Sequence, residues 1–349
     1  MNKTRIISSI ILFFAVFFIS GSYLFAQSNM DDPAKVKQNK IKTQKVLKYK
    51  YEWGEPMLQG DLIFMKTFDE NGNLTESKSP NARLVYKYND KGKMIQETYF
   101  NNDGSVKYRY NYNYDGLGRI AEEAELNVNG SFYFKTAYKY DDYGKLVKTL
   151  VYNEDGSIKT AFQYDEKGNL LDAASYDKDK SFYFNTVNKY DTNGKLTEET
   201  FYNPDGTTDK KTYYTYDEKG NKIKEVKYGS DGKVEDKKTY LLDAKGQLLE
   251  ATEFNSEGEA YSKNVYKWNA SGKLLEELAY SYGNFSSRNS YQYDAKGNLT
   301  EEVIIGEKSM TLSKSTYTYD SYGNRTEAIK YNLLDEPETL LKFEYEFYP

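Results

Sequence analysis

The chain has 349 residues, no cysteine, no histidine, 37 tyrosines, six prolines and a formal net charge of −5. Without cysteine there is no disulfide, no thiol nucleophile and no thiol to carry a lipid anchor. Without histidine the commonest general base and metal ligand is missing. Acidic and basic residues are interspersed throughout, which argues against a nucleic-acid footprint or a polybasic membrane patch.

Residues 1–26 read as a secretory signal peptide. Lys3 and Arg5 precede an unbroken apolar run from Ile10 to Ile19, and small residues lead to Ala26 before a polar chain. The apolar run is too short for a comfortable transmembrane helix of about 20 residues. Cleavage is expected between Ala26 and Gln27, leaving 323 residues with 46 basic and 53 acidic side chains and a net charge of −7. An uncleaved anchor is the alternative, because a weaker apolar flank extends to Phe25. The chain is therefore expected to be secreted or periplasmic. Residues 27–45 are polar and irregular and read as a linker, and residues 46–71, with Trp53-Gly54-Glu55-Pro56, as an atypical capping hairpin.

Residues 72–349 repeat. The motif Tyr-Asp-x-x-Gly, or a near variant, places glycines at 72, 92, 118, 144, 168, 194, 220, 246, 272, 297 and 323. From Gly92 onward the steps are 26, 26, 24, 26, 26, 26, 26, 25 and 26 residues. Twelve residues after most of these glycines comes a second turn signal, as in Asp103-Gly104, Asp155-Gly156, Asp205-Gly206 and Asp231-Gly232. Two turns per repeat leave strands of ordinary length, so each unit is a β-hairpin. The predicted fold is all-β: tandem antiparallel hairpins forming one long twisted or spiralling meander sheet. At the C-terminal end Tyr345-Glu346 falls where Tyr-Asp is due and Pro349 where the next glycine is due, so the array reads as complete.

Counted from each glycine, positions −6 and −4 are mostly aromatic, +2 is mostly leucine and +8 is bulky again, as in Tyr214, Tyr216, Leu248 and Tyr152. All these offsets are even, which predicts one aromatic and leucine face and one wet face. The step of 24 preserves the facing. The step of 25 requires a turn or bulge near Gly283-Asn284 to absorb the lost residue.

Stretches such as YTYDEKGNKIKEVKY and YQYDAKGNLTEEVII resemble YD repeats, the family known from rearrangement-hotspot (Rhs) toxins and teneurins, and the unit is somewhat similar to the hairpins of MORN-like proteins. The resemblance covers residues of about 60 to 349. It implies a spiralling antiparallel sheet, sometimes a hollow shell, with roles in carbohydrate binding or adhesion. The long core and variable effector end of the toxins have no room here.

The candidate chemistry is sparse. Glutamate pairs such as Glu122-Glu123, Glu198-Glu199 and Glu276-Glu277 recur at one offset, as a solvated strand face does, so no catalytic residue is assigned and no enzyme is expected. Asp115, Asp141, Asp165, Asp191, Asp217, Asp294 and Asp320 precede glycine turns and are expected to cap them; a calcium ladder is the alternative. No cofactor and no metal are assigned. Tyr133 and Tyr183, in matching SFYF segments, break the pattern by facing away from the main ladder, and are weak candidates for a sugar-stacking platform, with cross-strand packing as the alternative. The expected function is an exported, non-enzymatic binding or scaffold module for a cell-surface glycan or envelope protein. An outer-membrane β-barrel and a secreted carbohydrate-active enzyme are the alternatives. Glu250, Glu276, Glu301 or Lys224 four residues after a glycine weigh against lipid on that face, so no stable membrane insertion is expected once the leader is removed.

Overall fold

A computed structural model describes residues 32–176 and 182–349. The signal peptide, with Ala26 and Gln27, lies outside the described residues. Those described form antiparallel strands joined by short turns, with almost no helix, in the hairpin order that the repeat predicts. They fall into two compact units, one holding the residues up to Leu74 together with Ser315–Pro349, the other Thr75–Lys314.

The first unit opens on a short helix, Pro33–Gln38, inside the segment expected to be a linker. Asp32 starts it by accepting a hydrogen bond from the Ala34 N–H at 3.0 Å, with proline in the first turn where its missing N–H costs nothing. Val36 on this helix is buried against Ile41 and Phe68, with Leu74 and Tyr345 closing the cluster. The first strand, Ile41–Glu52, also begins within the expected linker. It runs antiparallel to Asp61–Phe68 on one side, from Thr43 opposite Thr67 to Lys48 opposite Asp61. On its other side it pairs with the last strand, Pro337–Phe347, from Ile41 opposite Phe347 to Lys50 opposite Thr339.

That second pairing corrects the expected open, spiralling sheet. The first strand is hydrogen-bonded on both sides, and one of its partners is the last strand of the chain. An edge strand presents a row of unpaired N–H and C=O groups; joining the two terminal strands satisfies both rows at once. The join is tightly packed, with Val46, Leu340, Leu341 and Phe343 all buried.

In the second unit the two turns of the regular repeats have the same build. In the Tyr-Asp-x-x-Gly turn, the Asp115 N–H donates to the Arg119 carbonyl and the Gly118 N–H to the Asp115 carbonyl, each at 2.8 Å. In the second turn, Asn203, Gly206 and Thr207 repeat the pattern. Gly118 and Gly206 sit at φ +76° and +82°, a region that side-chain-bearing L residues rarely adopt. The step of 24 is absorbed by a shorter strand, Ile158–Tyr164, where the preceding repeat has Phe132–Tyr140. The step of 25 is absorbed where expected: Tyr282-Gly283 form a two-residue turn, both at positive φ, between the paired residues Ser281 and Asn284.

Simple alternation fails at one point. Tyr114 stands opposite Ile120, and Tyr112 opposite Glu123. One strand takes two steps where the other takes three, so a β-bulge lies just past the turn. The same shift follows the turns at Tyr140, Tyr190, Tyr216 and Trp268. A second bulge follows each Asn-x-x-Gly turn, as between Glu125 and Leu126. Residues beyond the first bulge therefore change face relative to a plain count of two. Position +5 joins the tyrosines at −6 and −4, while +8 goes to the opposite face. Tyr152 and Phe254, expected on the tyrosine face, instead lie under Lys135 and Lys237 at 5.2 and 4.4 Å, with Lys135 paired to Glu122 on that opposite side.

Candidate functional site

The tyrosine of the motif has a task beyond filling the sheet. The carbonyl of position +2 lies beside the bulge, and in most repeats the position −4 side chain of the next repeat donates to it. Tyr140 reaches the Ile120 carbonyl, Tyr190 that of Leu170 and Tyr216 that of Leu196, at 2.7, 2.7 and 2.8 Å. Where tryptophan replaces tyrosine, the Trp268 Nε1–H donates to the Leu248 carbonyl at 2.7 Å. In the first unit Tyr345 does the same to the Arg325 carbonyl, and burial pushes its hydroxyl up to about 12. Each such bond ties one repeat to the one before it. Leu242 occupies the same position before Gly246 and brings no donor.

The aspartates cap their turns. Asp217 Oδ1 accepts from the Asn221 N–H at 2.8 Å and its Oδ2 from the Asn221 side-chain amide at 2.9 Å. Asp294 with Asn298 and Asp320 with Asn324 repeat this arrangement. The side-chain bond from Asn221, then the backbone bond, hold the Asp217 carboxyl below its ordinary range. Among the described residues no group of acidic side chains is arranged as a metal site.

Contrary to the expectation of one solvated face, each glutamate pair is divided between the two faces, because adjacent strand residues alternate; the bulge decides which of the two joins the tyrosines. Glu122 turns to Lys135, at 3.3 Å. Glu123 turns to the aromatic face and accepts from the Tyr138 hydroxyl at 2.8 Å. Glu198 meets Lys211 at 3.3 Å, while Glu199 accepts from Tyr214 at 3.3 Å. Burial raises the Glu123 and Glu199 carboxyls above their ordinary range. The structure thus holds carboxylates on both faces, those of Glu122 and Glu198 paired with lysine and those of Glu123 and Glu199 with phenol.

Tyr133 and Tyr183 are not merely odd-numbered positions on a strand. Glu125 faces Phe134 and Leu126 faces Phe132, which leaves Tyr133 as the extra residue of a bulge. Tyr183 is the extra residue between Phe182 and Phe184 in the same way. Their rings are 58% and 62% exposed, and each packs edge-on against the following phenylalanine. The rest of the chain offers no sequence signal for a bulge at these places except the repeat itself.

No family model matches the chain and no curated protein matches it. Solved structures align with it at low identity and with TM-scores below 0.5. A crystal structure of TcdB2-TccC3-TEV aligns over 82% of this chain and 18% of its own at 13% identity, with a TM-score of 0.41. A porin-like protein from Bacteroides uniformis ATCC 8492 aligns over 88% of this chain and 98% of its own at 12% identity, with a TM-score of 0.24. Another from Bacteroides vulgatus ATCC 8482 gives 11% identity, 88% and 99% coverage and a TM-score of 0.20. This chain spans about a fifth of the length of the TcdB2-TccC3-TEV chain.

Proposed function

We propose that the chain is an exported, non-enzymatic binding or scaffold module with water on both faces of its strands, built from YD-type repeats. The observation that supports this is the charge on both sides of the hairpins. On one, Lys211–Glu198, Lys263–Glu250 and Arg288–Glu276 pair across strands; on the other, Glu97, Glu123 and Glu199 accept from tyrosine hydroxyls. A lysine or arginine facing lipid at mid-membrane costs roughly 2–4 kcal/mol, and a row of them exceeds what the remaining face supplies. The exposed rings of Tyr133 and Tyr183 give such a module places to stack on a flat ligand such as a sugar.

A second reading, an outer-membrane β-barrel, has its own support in the pairing of first and last strands. A spanning sheet must leave no edge unpaired, and the join meets that requirement, which an open scaffold does not need. One experiment separates the two. The chain without residues 1–26 is produced in the absence of detergent and its sedimentation followed. The first reading expects a folded soluble species, and insolubility relieved only by detergent or lipid would establish the barrel instead. A glycan panel with Tyr133→Ala and Tyr183→Ala then tests the platform, which requires binding that both substitutions weaken.

A further inference from the structure

The aromatic face holds one cluster that neither turn chemistry nor inter-repeat bonding explains. Tyr99, on the strand Met94–Phe100, stands directly opposite Tyr108, on Val106–Tyr114. Their rings are stacked with centroids 4.2 Å apart and planes 27° apart. T-shaped pairs elsewhere, such as Tyr213–Tyr228 at 5.7 Å and 84°, bring an edge to a face instead. Tyr110 joins the cluster at 6.1 Å from Tyr99 and 5.9 Å from Tyr108.

The cluster also has built-in proton acceptors. Glu97 accepts from the Tyr112 hydroxyl at 2.6 Å with one oxygen and from the Tyr99 hydroxyl at 3.5 Å with the other. Glu125 accepts from the Tyr110 hydroxyl at 2.5 Å. A phenol gives up an electron far more readily when its proton has a base to go to, because the charged radical cation is then avoided. The chain has no cysteine to compete for oxidant or to staple this hairpin.

We propose that Tyr99 and Tyr108 are an oxidative cross-linking site, at which a one-electron oxidant converts the stacked pair to an intramolecular dityrosine. Each phenol loses one electron to the oxidant and its hydroxyl proton, that of Tyr99 to Glu97 and that of Tyr108 to water. The two radicals join through ring carbons beside the hydroxyls. Each of those carbons then sheds its hydrogen as a proton while each oxygen regains one, restoring both phenols. The balance is two electrons and two protons lost, and one carbon–carbon bond gained. Stacking at van der Waals distance is what makes coupling of this pair faster than diffusion to another. The bond would fasten the two strands on either side of the Asn101–Ser105 turn, the task that a disulfide performs in other exported proteins.

The test uses the full chain and photo-oxidation by a ruthenium tris-bipyridine complex with persulfate, at limiting oxidant. The expected product is a peptide pair containing Tyr99 and Tyr108, lighter by two hydrogens than its parts and fluorescent as dityrosine. It should dominate the native digest, disappear in Tyr99→Phe and in Tyr108→Phe, and persist in Tyr112→Phe. The same oxidation in urea should scatter cross-links over many tyrosines. Should the native digest show the same spread as the urea digest, or couple other tyrosines while leaving Tyr99 and Tyr108 apart, the proposal is overturned. The wild-type comparison does not depend on any variant folding.

Discussion

The two compact units use the same hairpin but hold themselves together differently. In the first, Val36, Ile41 and Phe68 make a small apolar cluster, and the side chains of Ile41, Gln44 and Val46 are almost fully enclosed. In the second, the buried residues are scattered along the strands and are mostly alanine and threonine, such as Ala124, Ala174 and Thr200, with Leu150, Val151 and Val226 among the larger ones. Its order rests on repeated local devices: a capped turn, a bulge, a tyrosine bonded to the preceding repeat. The difference teaches that a hairpin array needs a conventional core only where its regular sequence ends. A repeat gets neighbours like itself; the terminal strands must find each other across the whole chain.

The largest effect should therefore come from the first unit. Ile41→Ala removes a side chain that is 2% exposed and is expected to cost about 2–5 kcal/mol, measured by urea unfolding. Val226→Ala in the second unit should cost no more than about 1–2 kcal/mol, since it leaves a smaller cavity. Equal losses at the two sites would abolish the distinction.

Two glycines offer a finer comparison. Both Gly72 and Gly206 have φ of +82°, so alanine at either carries the left-handed penalty of about 1–2 kcal/mol. A β-carbon on Gly206 meets nothing within 4 Å, whereas on Gly72 it would lie 2.3 Å from the Pro33 carbonyl oxygen of the helix. Gly72→Ala should accordingly lower the melting temperature well beyond Gly206→Ala, and identical shifts would show that the helix is not seated there.

Tyr216→Phe keeps the ring and removes only the donor to the Leu196 carbonyl, for an expected loss of about 1 kcal/mol in the same unfolding assay. Leu242→Tyr adds a donor where the repeat lacks one and is expected to raise stability in the same unfolding assay.

The smallest effect concerns pH. The Asp217 and Asp294 carboxyls are held low by the asparagine side-chain bond and then the backbone bond, so their contribution is complete above the ordinary value of 3.8 and is lost as pH falls through the depressed folded value. Glu123 and Glu199 run the other way. Burial raises their folded values above 4.5, so the native state takes up protons first and these two sites gain stability as pH falls through that raised range. Glu123→Gln should flatten the mildly acidic part of a stability–pH profile and leave the strongly acidic part unchanged.

Much of this was legible in the sequence, because turn chemistry is local. Glycine at positive φ, aspartate capping and the shortened turn at Tyr282-Gly283 all follow from residues within five positions of one another. The facing of Glu123 and Tyr152 did not follow, because a count of two assumes an unbroken strand and the bulge past each turn adds a residue. The substitution of Tyr by Trp268 was a usable sign that position −4 needs a donor as well as a ring. The helix at Pro33–Gln38 and the strand that follows it could not be read, since Ile41 and Val46 pair with Phe347 and Phe343, far along the sequence. Tyr133 and Tyr183 were visible as departures from the pattern, but their place in a bulge is a property of the pairing and not of the SFYF segment itself.

The pairing of Ile41–Glu52 with Pro337–Phe347 also fixes an order of events. A chain made from its N-terminus presents one edge of its first strand for the entire time in which the repeats are added. Local hairpins form early at small loop-closure cost, whereas this contact waits for the last residues and is the slowest to assemble. During that interval the unpaired edge is a template for another chain, and any interruption of synthesis near the end makes the exposure permanent. For this architecture, losing the last dozen residues is a more serious injury than losing a repeat from the middle.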